Sequence, residues 1–297
     1  MRCQRCISFV AVMACCSSIA AAQFKQQTDM IGERTADIPT TERSVLSNMT
    51  QGFAASFRPW DLSLLGLTGM YLIKPDEADD QLSLRPLAID HQISRSLGRN
   101  GEGELVGSRL HPAGIQRTIF LGHLGIVAFL DIATGASITS RDYETPLVFA
   151  KAMMYTYGIT EITKNWVKRN RPDGSDNRSF FSGHVSGSFA MSAFVYREVS
   201  DAIDGMEAAE RSTPVRMLLK GVSFTAAYGW ATYVGYSRIH DRRHYFSDVL
   251  VGAAVGTVIG NLLYDLHFGA NSELQSPALQ FRFIPADRPT IAMSFHF

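Results

Sequence analysis

A histidine and an aspartate four residues apart, His244 and Asp248, have the residue types and the spacing of half a nucleophilic site. On a helix, residues at i and i+4 lie on one face, so the carboxylate can accept the Nδ1 proton of the imidazole. That bond fixes the tautomer and leaves the Nε2 lone pair free to attack. Arg238, just upstream, offers a planar set of donors suited to a phosphate or a carboxylate. Taken alone, the segment is equally compatible with a solvated charged turn before an apolar helix.

Two more basic residues favour phosphate chemistry. Lys164 and Arg171 are seven residues apart, which is two helical turns, so they share a helix face. The proline after Arg171 disfavours helix at that arginine and predicts that the helix ends there. With Arg238, these residues would place three cations around one phosphoryl group, as phosphate-ester cleavage requires. We interpret the intervening Lys168 and Arg169 as a basic surface run and leave them out of the site.

The segment Ser182-Gly183-His184 predicts an anion site at the start of a helix. Ser182 is a suitable N-cap residue. The backbone N–H groups of Gly183 and His184 would then point at an anion. A glycine at this position lets the backbone approach the ligand closely.

In this order and spacing, the three segments resemble the motifs of the type-2 phosphatidic acid phosphatase superfamily. The motifs are Lys-x6-Arg-Pro, then Ser-Gly-His, then Ser-Arg-x5-His-x3-Asp. The superfamily also includes the bacterial class A acid phosphatases and the vanadium haloperoxidases. The resemblance covers roughly residues 145–265. Phe181 departs from it, because the family usually has proline at that position.

The resemblance implies roles for the motif residues. The histidine at the position of His244 attacks phosphorus and forms a phosphohistidine, and Asp248 orients it. The histidine at the position of His184 protonates the leaving group. No metal or cofactor is implied, because the cations take the place of a metal. The run Arg243–Gly252 is more similar to the lipid-phosphatase branch, so a lipid phosphate is the favoured substrate over another small-molecule phosphate.

Three alternatives remain open at this point. One is a haloperoxidase that holds vanadate in the same cage. Another is a catalytically silent protein that binds phosphate or lipid, and a third is phosphoryl transfer to a second acceptor. The other histidines match no motif position: His240 lies one turn from His244, His123 is in an apolar run, and no pattern includes His91, His111, His267 and His296.

The first 22 residues predict a secretory signal peptide. Arg2 and Arg5 precede an apolar run and the small residues Ala20–Ala22, which is the order of a cleavable signal. An uncleaved anchor and lipidation at Cys15 are the alternatives. All four cysteines lie within this segment, so the mature chain would have neither a disulfide nor a cysteine metal site. We therefore expect an exported protein, in the bacterial periplasm.

Beyond the signal, the composition predicts three regions. Residues 23–58 are polar without periodicity, as in a flexible arm. Residues 59–270 alternate helix-length apolar segments with short loops, which predicts an all-α helical bundle that carries the phosphatase motifs. Residues 271–297 alternate apolar and polar positions around a Pro-rich turn, which predicts a small C-terminal β-hairpin.

Charge and hydropathy limit the partners. The 28 basic and 28 acidic residues balance, which gives no sign of a nucleic-acid partner. Uncharged runs are shorter than the roughly 20 residues of a membrane span, and the mean hydropathy is +0.00. We expect a water-soluble domain, with peripheral membrane association left open because related membrane enzymes share the motifs. The sequence predicts no oligomeric state.

Overall fold

The protein is described by a computed structural model that covers residues 45–72, 84–99, 103–134, 138–269, 279–284 and 290–295. The predicted signal peptide lies outside these residues, as does most of the predicted arm. In chain order the elements are α1 (Val45–Ser56), a 3₁₀ turn (Pro59–Leu62), α2 (Ser63–Leu72), α3 (Ala88–Leu97), α4 (Val106–Arg109), α5 (Pro112–Thr134), α6 (Ser140–Val167), α7 (Gly183–Asp204), α8 (Glu207–Arg211), α9 (Thr213–His240), α10 (Phe246–Phe268), β1 (Leu279–Ile284) and β2 (Thr290–Phe295).

Helices α6, α7 and α10 surround the hydrophobic core. Phe149 of α6, Phe194 of α7 and Tyr264 of α10 are all buried there. The ring of Phe194 stands edge-on to both of the others, with centroids 5.5 and 5.2 Å apart. Such edge-to-face pairs stabilise a core beyond the area that they bury. The core therefore fixes the three helices that carry half of the predicted motif residues, namely Lys164, Gly183, His184 and Asp248.

A stripe of glycines brings α10 against α7. Gly252, Gly256 and Gly260 are spaced by four residues and lie on one face of α10. A Cβ at Gly252 would lie 2.9 Å from the carbonyl oxygen of Ser182, and one at Gly260 would lie 2.5 Å from that of Ala190. These backbones can approach so closely only without side chains between them. The approach sets the distance between the start of α7 and the start of α10.

The start of the described chain differs from the predicted arm. Residues 45–56 form helix α1, which packs against α6. Gly52 makes this contact, because a Cβ there would lie 2.6 Å from the Cβ of Tyr143. The buried face of α1 consists of small residues, Gly52, Ala54 and Ser56. Small residues give little apolar periodicity, which is why the sequence pattern did not predict a packed helix here.

The all-α class is confirmed, because helices are the regular elements of the described chain apart from β1 and β2. These two strands pair antiparallel, from Leu279 opposite Phe295 to Ile284 opposite Thr290.

Two helices are long and apolar enough to cross a membrane. They are Pro112–Ala133 within α5 and Phe246–Phe268, which is α10. The expectation that all apolar stretches are too short for a span is therefore wrong. The expectation failed because it counted only runs without any charged residue. A membrane span tolerates a charged residue near its end, where the side chain can reach water. Leu121, Phe129 and Ile132 of α5 and Leu250 and Val258 of α10 are exposed on the outer face of the bundle.

Candidate active site

His244 lies in the loop between α9 and α10 and is fully enclosed, with 2% of its surface exposed. Its Nδ1 lies 2.7 Å from the carbonyl oxygen of Ser179. Because a carbonyl oxygen only accepts hydrogen bonds, the proton sits on Nδ1 and the Nε2 lone pair is free. The geometry therefore gives His244 the tautomer that a nucleophilic histidine needs.

Asp248 supports His244 through an intermediate residue. Its Oδ2 lies 3.8 Å from the Nδ1 of His244, which is too far for a hydrogen bond. The predicted direct bond is thus absent, because His244 precedes the helix and the i,i+4 geometry does not apply. The Ser179 hydroxyl instead donates to Oδ2 of Asp248 at 2.5 Å. Asp248 also accepts the backbone N–H of Tyr245 at 2.9 Å. It therefore holds Ser179, which binds the imidazole, and Tyr245, which follows His244 in the chain.

Arg169, which the sequence analysis assigned to the surface, is one of the most buried residues, with 1% exposed. Its Nη1 donates to Oδ1 of Asp248 at 2.5 Å, and its Nη2 donates to Oδ2 of Asp90 at 2.7 Å. Asp90, on α3, also accepts the backbone N–H of Ser247 at 2.9 Å. A basic run gives no sign of which member turns inward, and Asp90 is far away in sequence. Only the fold could reveal this network.

Lys164 and the start of α7 lie against each other. A Cβ at Gly183 would lie 3.1 Å from the Nζ of Lys164, so the glycine makes room for the cation beside the helix N-terminus. Glu161 holds the same Nζ at 3.3 Å. On the opposite side, Asp176 holds the guanidinium of Arg171 at 2.7 Å. The helix ends at Val167, four residues before the end that the proline predicted. Arg171 therefore lies in the following loop, and the prediction that it shares a helix face with Lys164 is wrong.

Arg238 is nearly buried, with 5% exposed, and its Nε has no hydrogen-bond partner among the described residues. Burial, with Arg171 and Arg243 nearby, lowers its pKa to about 10. A buried guanidinium beside other cations is energetically unfavourable unless an anion joins it. Lys164, Arg171 and Arg238, here called the phosphate cage, therefore favour an anionic ligand.

Ser182 has the predicted N-cap position of α7 but not the predicted cap bond. Its backbone is extended, yet its hydroxyl makes no cap hydrogen bond. The Oγ is buried and has no partner in the described chain, which leaves it available to a ligand oxygen. Phe181, the departure from the family motif, is 3% exposed. Its ring is thus part of the protein interior.

His184 stands in the first turn of α7, with its ring edge-on to that of His111 at 4.7 Å between centroids. Nδ1 of His111 accepts the backbone N–H of Ala113 at 3.3 Å and lies 3.2 Å from the Tyr157 hydroxyl. His111 therefore belongs to the site, although no motif includes it. Its sequence context, before an apolar helix, carried no signal for this.

The two motif histidines differ in how far their surroundings lower the pKa of the imidazole. Burial lowers the pKa of His244 to about 4, and Arg238 adds to the effect. Burial lowers the pKa of His184 further, to about 2, with contributions from Arg238, His111, His244 and Lys164. Both imidazoles are thus neutral in the empty site at neutral pH. A phosphate dianion in the cage would offset the surrounding cations and raise the pKa of His184.

The fold therefore brings together all eight residues predicted from the sequence, namely Lys164, Arg171, Ser182, Gly183, His184, Arg238, His244 and Asp248. It adds Ser179, Arg169, Asp90 and His111.

Parts of this chain are similar to known proteins. Residues 145–272 match the family model described as the PAP2 superfamily. A lipid A 1-phosphatase from Porphyromonas gingivalis is 34% identical over 115 residues, which are 39% of this chain and 22% of that protein. The chain thus matches about a fifth of that relative's length. A transmembrane PAP2-type phosphatidylglycerolphosphate phosphatase from Bacillus subtilis superposes with a TM-score of 0.43 at 18% identity, over 69% of this chain and 94% of that one.

Proposed function

Since residues 145–272 belong to the PAP2 superfamily, we propose that this protein is a membrane-associated, metal-independent phosphatase that hydrolyses lipid phosphate monoesters through a phosphohistidine. The lipid A 1-phosphatase relative supports phosphatase activity on a lipid. The proposed location is the exported side of a bacterial membrane, in agreement with the predicted signal peptide.

One observation carries the choice of a lipid. The site lies at one end of both candidate spans: His111 immediately precedes Pro112–Ala133, and His244 lies two residues before Phe246–Phe268. Lipid phosphates lie at the ends of membrane spans, in the headgroup region. A substrate lipid could therefore reach the cage with its acyl chains still beside the exposed apolar faces of α5 and α10.

The first chemical step forms a bond between Nε2 of His244 and phosphorus, and breaks the bond between phosphorus and the leaving oxygen. The cage stabilises the charge on the three non-bridging oxygens. Ser179 keeps the Nδ1 proton of His244 in place as the ring becomes cationic. His184, with its pKa raised by the bound phosphate, gives its proton to the leaving oxygen.

The second step returns the enzyme to its starting state. His184, now neutral, accepts a proton from a water molecule whose oxygen attacks phosphorus. The bond between Nε2 and phosphorus breaks, and inorganic phosphate leaves with the imidazole restored. Because the cations of the chain stabilise the charge throughout, we expect activity to persist in EDTA.

The test uses two variants on two substrates. His244→Ala should abolish turnover of p-nitrophenyl phosphate and of an alkyl phosphate alike. His184→Ala should be much milder on p-nitrophenyl phosphate, because nitrophenolate leaves without a proton. On the alkyl phosphate it should cost about 10²–10⁴-fold.

The control is His123→Ala, which lies twelve residues along α5 from His111, about 18 Å at 1.5 Å per residue. It should leave both rates unchanged. Equal losses for His184→Ala on both substrates would contradict its role as the acid. Loss of wild-type activity in EDTA, restored by a divalent cation, would contradict metal independence.

A further inference from the structure

A second cavity of 580 Å³ lies beside the phosphate cage. It is lined by His91, Ser94 and Arg95 of α3 and by Pro172, Arg242 and Tyr245. Two of these residues are chain neighbours of the site, because Pro172 follows Arg171 and Tyr245 follows His244. The cavity is thus separate from the cage but next to it.

Among the described residues, no carboxylate lines this cavity. Nε of Arg95 donates to the carbonyl oxygen of His91 at 3.1 Å, which leaves its two Nη groups free. Within the part of the chain that the structure describes, neither Arg95 nor Arg242 forms an ion pair. Arginine offers paired donors that match the oxygens of a phosphate.

A neighbouring cavity of 370 Å³ provides the contrast. It is also lined by basic residues, but Arg243 there binds Glu104 at 2.5 Å and Asp173 at 3.0 Å. His240 likewise lies 2.9 Å from Asp241. Carboxylates thus pair with Arg243 in that cavity, whereas no described carboxylate pairs with the two arginines of the cavity beside the cage.

Arg242 has a defined position but an incomplete set of hydrogen bonds among the described residues. Its Nε is buried and has no hydrogen-bond partner among the described residues. Its backbone has a φ of 54°, a left-handed conformation that is uncommon for residues with a side chain. Gly98 makes room for the side chain, since a Cβ there would lie 3.0 Å from its Nε. Unusual backbone conformations of this kind concentrate at functional sites.

Helix α3 is tied to the catalytic loop, so the two anion sites have a fixed separation. Asp90 of α3 accepts bonds from the backbone N–H and the hydroxyl of Ser247, at 2.9 and 2.8 Å. The same carboxylate binds Arg169, which holds Asp248. The next residue of α3, His91, has its ring edge-on to that of Tyr245, with centroids 5.7 Å apart.

We propose that this cavity binds a second phosphate group of the same substrate molecule while the scissile phosphate occupies the cage. The substrate class is then a lipid that carries two phosphate groups, one of them a terminal monoester. This proposal rests on the proposed function for the identity of the cage, and it adds the recognition of a second anion.

The test compares ligands with one and two anionic groups. Butylphosphonate and a series of α,ω-alkane bisphosphonates of increasing chain length are titrated by calorimetry, which requires no turnover. We expect one bisphosphonate per protein, bound at least tenfold more tightly than butylphosphonate at the best-matching length, because two charge-assisted sites are occupied by one molecule. The double variant Arg95→Gln/Arg242→Gln should lose this advantage.

Arg99→Gln is the matched control, since it removes one charge from the neighbouring cavity. It should keep the tenfold preference. Two butylphosphonates per protein, with no gain from linking the groups, would mean that the cavity takes a free phosphate and would overturn the proposal. Equal affinities for one and two groups at every length would also overturn it. Because binding is measured directly, a failure of phosphatase activity contradicts only the proposed function.

Discussion

At the scale of single residues, the proposed nucleophile His244 is held in place by groups outside the phosphate cage. Ser179 fixes the tautomer of His244, Asp248 holds Ser179, and Arg169 holds Asp248. Arg169 is thus a positioning residue. Its two carboxylate partners are fully buried, so it also balances their charge.

The variant Arg169→Lys tests this role. Lysine keeps the charge but cannot bridge Asp90 and Asp248 with a planar fork. We expect kcat to fall at least tenfold with little change in KM, because Arg169 does not contact the phosphate. Arg169→Met should destabilise the fold by about 3–5 kcal/mol, since it leaves two carboxylates buried without a cation. Lys168→Gly is the control: it suits the φ of 47° at that position and should leave kcat unchanged. An unchanged kcat in Arg169→Lys would contradict the positioning role.

The burial of His244 also makes stability depend on pH. Its pKa is lowered to about 4, whereas an unfolded histidine has a pKa of about 6.5. The unfolded chain therefore binds the extra proton, and stability falls as the pH drops from about 6.5 towards 4. At pH 5 this residue should cost about 2 kcal/mol. Urea unfolding at pH 7 and pH 5 measures this effect. Between the two pH values, the free energy of unfolding should fall by about 2 kcal/mol less in His244→Gln than in the wild type. Equal losses would show that His244 is not buried in its neutral form.

At the scale of helices, the site is assembled by the contact between α7 and α10. His184 begins the first of these helices and Asp248 lies in the first turn of the second. The glycines of α10 set their separation, because a Cβ at Gly256 would overlap the carbonyl oxygen of Ser186.

The variant Gly256→Ala should therefore push the two helices apart. We expect it to lower stability by about 1–3 kcal/mol and to reduce kcat/KM, because the start of α7 shifts away from His244. Gly229→Ala is the matched control on α9, where a Cβ meets nothing within 4 Å. It should be neutral or stabilising by about 0.5–1 kcal/mol. Thermal unfolding and initial rates measure both, and a neutral Gly256→Ala would contradict the close approach.

At the scale of the whole molecule, both candidate spans expose large apolar side chains. Leu121, near the middle of Pro112–Ala133, is 57% exposed, and Leu250 and Val258 of Phe246–Phe268 are exposed as well. Exposed apolar surface can mark contact with a membrane or a partner. With the site at one end of the two candidate spans, a membrane explains both the surface and the position of the cage.

We expect the protein to remain in the membrane fraction after an alkaline carbonate wash and to be released by detergent. Leu121→Lys should reduce its accumulation there, because a lysine at the centre of a span costs about 2.5–3.5 kcal/mol. Leu97→Lys, an exposed position outside both candidate spans, is the control and should be tolerated. Wild-type protein that is released by carbonate as a soluble monomer would contradict the membrane assignment.

The sequence by itself determined the helical class and predicted which residues form the cage. Motif residues are recognisable in a sequence because their spacing is local: seven residues between Lys164 and Arg171, or four residues between His244 and Asp248. Local composition also predicted the helical bundle of residues 59–270, in which α5, α6, α7, α9 and α10 are the long helices of the described chain.

Tertiary structure alone decided which other residues act with the motifs. Asp90 and Arg169 are 79 residues apart, and the pairing of such distant groups has no local pattern. Arg169 and Lys168 are neighbours of the same charge, yet one is buried and the other caps the end of α6, because the helix ends between them and the chain turns. The bond from His244 to Ser179 likewise depends on a loop from another part of the chain. Burial, direction and long-range pairing are properties of packing, and packing is set by the whole chain at once.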